Sequence, residues 1–226
     1  MTCALRQHHD ALWTLTHPFR LGLIELGTRT TVIALGSEEL LVHSPGPLTA
    51  DQLEAVSSLG RVTQVVAPNS MHYLYFESTL RHFPEAQGWV SPALGRRLPR
   101  LQGYASLNSA PPFTAQLRPL EVQGLGNLGE FVFHHPASSS LIVTDLVFHM
   151  LHSPSAFTRL FMRLNGAYGR FGPTRIFRHL VMKERHRLRQ SIQELLDLQF
   201  QRVVMAHGEV LEQGGKDALA RAFAWL

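Results

Sequence analysis

The stretch ELLVHSPGPLTADQLEAVSSLGRVTQVVAPNSMHYLYFE, residues 39–77, decides the fold of this chain. Glu39 to His43 is a short β-rich run, and Ser44-Pro-Gly-Pro47 is a loop. Thr49 and Gln52 form a capping box: the threonine accepts from a first-turn N–H, and the glutamine reaches back to the cap. Leu53, Val56 and Leu59 follow at helical spacing, and Gly60 stops the helix. Val62 to Val66 is a buried strand. A strand, a helix and a strand within some thirty residues make a βαβ unit, so the two strands are expected as parallel neighbours.

Outward from this unit, Arg20–Glu25 and Thr30–Leu35 are β-rich runs joined by Leu-Gly-Thr-Arg, which reads as a hairpin. On the other side, Phe76 to Phe83 is a short helix stopped by Pro84, and Trp89-Val90 a strand. Prolines at 92, 99, 111 and 112 indicate loop and helical turns between Ser91 and Pro119. Strands resume at 120–122, 130–133 and 141–143. Gly124, Gly126 and Gly129 make a turn rather than a phosphate loop, since no helix follows. A long insertion, a helix over 181–198, a last strand at 203–205 and a closing helix over 217–225 complete the chain. Two β-rich halves, each closing on a helix, imply two packed sheets with helices on both outer faces.

The chain has 226 residues, 45% of them apolar, 17% charged and one a cysteine. That suits one domain over 1–226 with a core that needs no disulfide, in a reducing, cytoplasmic setting. His8, His9 and Asp10 break the apolar run that a secretory leader would need. No window approaches the length of a membrane span. The net charge of +4 is unevenly placed. Arg159, Arg163, Arg170, Arg175, Arg178, Lys183, Arg185, Arg187 and Arg189 face one acid, Glu184, within a basic insertion and helix over 146–190. Phe157, Phe161, Tyr168, Phe171 and Phe177 are interleaved with them. Such a segment is a solvated face, or a surface for nucleic acid, a membrane or another anionic partner.

Four strands end on a polar residue able to bind metal: the first before His72, the second at His134 and His135, the third at Asp145, the last before His207. Strand ends on one edge of a sheet converge, and α/β folds keep their sites there. Two imidazoles and a carboxylate suit zinc or iron and leave a position open. Ser138 to Ser140 lack the glycine elbow of a nucleophilic serine.

In these segments the chain resembles the metallo-β-lactamase fold. Thr144-Asp145-Leu146 is similar to its Gly-Asp-Leu segment, His134-His-Pro-Ala-Ser138 to its His-x-Pro-Gly-Ser turn, and Ala206-His207-Gly208 to its late Gly-His-Gly. More narrowly, Leu41-Val-His-Ser-Pro45, Val66-Ala-Pro-Asn-x-x-His72, Phe83-Pro84, Arg97-Leu-Pro99 and Leu141-Ile-Val-Thr-Asp-Leu146 resemble the domain-of-unknown-function family 4336. The resemblance implies a four-layer αββα sandwich. It departs at the signature His-x-His-x-Asp-His: with the last histidine at His72, the other ligand positions hold Ala67, Asn69 and Met71. By this alignment one metal position keeps only His134, while the other keeps His72, Asp145 and His207. The resemblance therefore implies one zinc or iron ion, or none. The first case is a mononuclear hydrolase of an ester, thioester, lactone or phosphodiester, with Asn69 donating to the oxyanion and His43 and His135 as supporting residues. The second is a metal-free binding or scaffold domain that engages an anion through residues 159–189.

Overall fold

The computed structural model describes residues 4–36 and 38–226; Cys3 and Ser37 lie outside the described residues. Seven strands form the larger sheet: β1 Arg6–His9, β2 Leu12–His17, β3 Thr28–Gly36, β4 Glu39–His43, β5 Arg61–Ala67, β6 Gln87–Val90 and β7 Ala105–Ser106. Neighbours in sequence are neighbours in space. The first four run antiparallel, and β4 to β7 run parallel. The smaller sheet holds β8 Arg118–Glu121, β9 Phe131–His135, β10 Ser140–Ile142 and β11 Arg202–Val204. In it β9 is antiparallel to β10, whereas β10 and β11 are parallel.

The predicted βαβ unit is present. Helix α1, Ala50–Ser57, carries the Thr49–Gln52 capping box and links the parallel pair β4 and β5. The N-terminal hairpin is built differently from the sequence reading. Arg20–Leu21 pairs with Ile24–Glu25 as a small separate ribbon. The Phe19 carbonyl accepts from the Leu26 and Gly27 N–H groups and closes that loop. Strand β3 pairs instead with β2, a segment whose histidines and threonines hide its strand character.

Three apolar layers hold the sheets and helices together. Between the sheets, Leu12, Ile33, Leu41 and Val66 of the larger meet Phe131, Phe133, Ile142 and Val204 of the smaller. Outside the larger sheet, Val32, Val42 and Val65 pack under Val56, under Phe76 of α2, Phe76–His82, and under Leu94 of α3, Pro92–Arg97. Helix α4, Ala156–Leu164, follows the smaller sheet's third strand. Outside that sheet, Val132, Leu141 and Val203 lie under Leu188, Ile192 and Leu195 of α5, Arg185–Asp197, and Leu219 and Phe223 of α6, Gly215–Phe223. The alternation of inward and outward residues along each strand produces this layering. Helix α5 starts at Arg185 rather than 181. Residues Phe177–Val181 form a wider turn, and the Lys183 and Glu184 N–H groups both donate to the Gly124 carbonyl. Among the described residues no helix is long and apolar enough to cross a membrane.

Candidate metal centre

The two sheets meet at one end through the loop after β5 and the turn before β9. Ser70 N–H donates to the Leu128 carbonyl at 2.9 Å, and Phe131 N–H to the Pro68 carbonyl at 2.9 Å. Asp145 lies three residues beyond β10 and His207 three beyond β11. Because those strands are parallel with Ile142 opposite Val204, both side chains emerge at this same end. His72 arrives from the larger sheet.

His72 Nε2 lies 3.4 Å from one Asp145 oxygen, and His207 Nε2 3.5 Å from the other. Metal-binding atoms of the three residues lie within 4.8 Å of one another, and this is the one such group among the described residues. The imidazole rings are 5.2 Å apart, and Phe148 stacks on His207 at 5.1 Å. His207 donates from Nδ1 to the Gly27 carbonyl at 2.7 Å, which leaves Nε2 with a lone pair. His72 Nδ1 lies 2.8 Å from the Ser44 hydroxyl. Ser44 holds a left-handed backbone, φ 50°, directly after β4. A non-glycine residue in that region costs free energy, and such positions gather at functional sites. Gly208 beside His207 has φ 89°, and a Cβ there would come within 2.2 Å of the His149 carbonyl oxygen, so the turn requires glycine.

Burial alone would raise the Asp145 pKa, but the His72 and His207 imidazoles hold it far below the usual carboxylate range. Burial pulls His72 down, and the Asp145 charge and hydrogen bond outweigh it, so the net shift is upward.

Sequence reasoning missed Glu130. It is fully buried in the turn before β9. One carboxylate oxygen accepts from the Thr144 N–H at 2.8 Å and the Asp145 N–H at 3.1 Å; the other accepts from the Asn69 amide at 2.6 Å. Burial, then the Asp145 charge, pushes its pKa up to about 7. An acid at the head of an apolar run reads as a solvent-facing strand end, so the sequence offers no signal for it.

Four of the site assignments need correction. His134 does not join the cluster. Strand β9 runs against β10, with His135 opposite Ser140, so the His134-His135 turn sits at the far end of the sheet from Asp145. There the His134 ring donates to the Gln199 carbonyl, and His135 bonds the Ser138 hydroxyl. Asn69 has no free donor for an oxyanion. Its amide nitrogen faces Glu130, Thr144 and Asp145, and its carbonyl accepts from the Met71 and His72 N–H groups at 2.8 Å each. It is a positioning residue that fixes the His72 loop. His43 supports no ligand directly. Neither of its ring nitrogens has a hydrogen-bond partner among the described residues, its ring meets the Phe133 edge at 5.0 Å, and burial lowers its pKa to about 3. Of the basic segment, Arg178 and Arg185 lie over the Trp225 ring, Arg163 over Tyr168, and Arg187 pairs with Glu184. Phe177 is buried against Phe223, which removes it as a stacking surface.

Two sheets face to face, helices on both outer sides and this cluster at one end define a protein of the metallo-β-lactamase fold. Residues 9–94 match the family described as Domain of unknown function (DUF4336). No curated protein matches the chain. Among solved structures, the DIM-1 metallo-β-lactamase is similar at 10% identity and a TM-score of 0.68, covering 100% of this chain and 98% of its own. A metallo-β-lactamase from Pontibacter korlensis gives 11% and 0.65, covering 98% and 99%. FIM-1 from Pseudomonas aeruginosa, in its mono-zinc form, gives 9% and 0.66, covering 100% and 96%. At such identities the structural likeness shows the fold alone, and function rests on the site.

Proposed function

We propose that this chain is a metal-dependent hydrolase that works with one ion held by His72, Asp145 and His207. The observation that carries the reading is the convergence of two imidazole Nε2 atoms and a carboxylate within 4.8 Å, with each Nδ1 already engaged elsewhere. Metal-ligating histidines commonly have their second nitrogen anchored in this way, since it fixes the tautomer and aims the ring. Two imidazoles and a carboxylate suit zinc or iron. The mono-zinc form of FIM-1 lends support from a similar fold. The other ligand positions of the two-metal signature hold Ala67, Asn69 and Met71, which favours one ion over two.

Held there, such an ion would supply Lewis acidity toward an ester, thioester, lactone or phosphodiester and would lower the pKa of water toward about 7. The chain's own residues prepare the setting. Ser44 and Gly27 hold the imidazoles in register, Phe148 covers one face of His207 and excludes water there, and Glu130 with Asn69 fixes the backbone beneath Asp145. The test is metal content of protein purified without an affinity tag, followed by thermal melts with zinc, iron and manganese. Stoichiometric metal in the wild type, and none in a folded Asp145→Ala variant, supports the reading. If both respond alike to every metal, a metal-free binding domain takes its place.

A further inference from the structure

Two lobes of one cleft meet over Asp145. The first, about 220 Å³, has His72, Asp145 and His207 at its base and apolar walls that include Phe19, Leu21, Ile24, Leu26, Phe161 and Met162. The second, about 880 Å³, carries three cations, Arg96, Arg97 and Lys183. Met71, Asp145, Phe148, Thr174 and Ile176 line both. Among the described residues Asp145 is the only acid lining either lobe, and it sits between the His72 and His207 rings.

The apolar lobe continues to the surface. Leu21 is 54% exposed, Leu74 58% and Ile176 40%, all on its wall. A small polar substrate would leave these side chains wet, whereas an alkyl chain removes their apolar area from water. The second lobe adds charge to a lining that is otherwise largely apolar, with Leu125, Leu128 and Leu180 among its walls. All three cations are exposed, and Arg97 is oriented by its bond to the Ser70 carbonyl at 2.5 Å and lies 5.6 Å over the Tyr73 ring. Cations in a cleft without a competing acid concentrate anions.

We infer that the site takes amphiphilic acyl esters or thioesters, with the acyl chain in the apolar lobe, an anionic head group in the cationic lobe and the joining bond over Asp145. The position of that bond rests on the hydrolase reading; the binding of the two ends does not. In the reaction water adds across the acyl–oxygen or acyl–sulfur bond. The acyl carbon gains the hydroxyl and leaves as a carboxylic acid, and the head group leaves as an alcohol or thiol with the second proton.

The test is calorimetric titration of the full chain with dodecyl phosphate below its micelle concentration, butyl phosphate and dodecyl maltoside. Dodecyl phosphate should bind at least about a hundredfold tighter than butyl phosphate, because eight methylenes become buried. The double variant Arg96→Gln, Lys183→Gln should weaken dodecyl phosphate about tenfold and leave dodecyl maltoside unchanged. Leu21→Ser with Ile176→Ser, at exposed positions, should weaken both dodecyl compounds severalfold. Chain-length dependence should persist in Asp145→Ala, so loss of metal and loss of amphiphile binding are separate results. Equal affinity for butyl and dodecyl phosphate overturns the inference while leaving the metal reading intact. Binding to phosphatidylglycerol vesicles without binding of monomeric dodecyl phosphate also overturns it, in favour of a membrane-docking surface.

Discussion

At one end of the smaller sheet, buried Glu130 and half-buried Asp145 lie side by side with the Asn69 amide between them. At the other end, His134 bonds the Gln199 carbonyl and His135 the Ser138 hydroxyl. Both ends follow apolar strands and both carry residues able to bind metal. Strand direction separates them. The parallel pair β10 and β11 delivers Asp145 and His207 to one edge, while antiparallel β9 carries its histidines to the opposite edge. One end gathers charge that needs partners from both sheets; the other satisfies its polar groups within a local turn.

The largest expected effect comes from removing the carboxyl acceptor that organises the first end. Glu130→Ala leaves the buried Thr144 N–H and the Asp145 N–H without their acceptor and removes one of the three acceptors around the Asn69 amide. Breaking such a buried network costs about 3–5 kcal/mol. Ser138→Ala, at the far end, removes one neutral hydrogen bond and should cost about 1 kcal/mol. Urea denaturation of the two variants measures both values. Equal losses would erase the distinction between the ends.

Next in size is the response to metal. An ion present at a hundredfold excess over its Kd stabilises by about 2.7 kcal/mol, which raises the melting temperature of a chain this long by at least about 4 °C. His134→Ala should keep that rise in full, because its side chain is at the wrong end. A rise lost with His134 would mean that the two ends communicate or that the ligand set is different.

The comparison also shows what was legible in the chain. The βαβ unit was, because Thr49, Gln52 and Gly60 mark both ends of a helix between two apolar runs. The convergence of His72, Asp145 and His207 was legible as strand ends followed at once by ligand-type residues. The direction of β9 was not, since a run of apolar residues looks the same read toward or away from a site. Assigning the His134 turn to the metal edge followed from that ambiguity. Glu130 and the Ser44 contact to His72 were hidden for a different reason. Their roles depend on partners 14 to 61 residues away in the case of Glu130, and 28 away for Ser44. Strands β1 and β2 were missed because histidine, threonine and aspartate interrupt their alternation.

At the far end, one part of the acid sensitivity can be assigned to a single residue. Burial, then the neighbouring His9 and His134 charges, lowers the His135 pKa from 6.5 to about 4. The unfolded chain therefore binds a proton that the folded chain refuses between pH 6.5 and 4. His135 costs the fold nothing above about pH 6.5, and its contribution declines as the pH falls through that window, at about 1.4 kcal/mol per pH unit. His135→Gln should flatten the stability profile between pH 6 and 5 by about that slope. An unchanged profile in denaturation at both pH values would show that the turn opens before it titrates.

The smallest effect tests the boundary between the ends. His43 lies on β4 between the sheets, 1% exposed, against the Phe133 edge, with no hydrogen-bond partner for either ring nitrogen among the described residues. A buried polar group without a partner costs about 1–3 kcal/mol of desolvation, and an apolar side chain of similar size avoids that cost. Some of the gain is lost to imperfect repacking around a branched side chain, so His43→Leu should raise stability by about 1 kcal/mol net. Ser44, not His43, hydrogen-bonds His72, so the same variant should keep the full metal-induced rise in melting temperature. A variant that is less stable and also binds metal more weakly would place His43 in the working site, and the polar end of the molecule would then extend between the sheets.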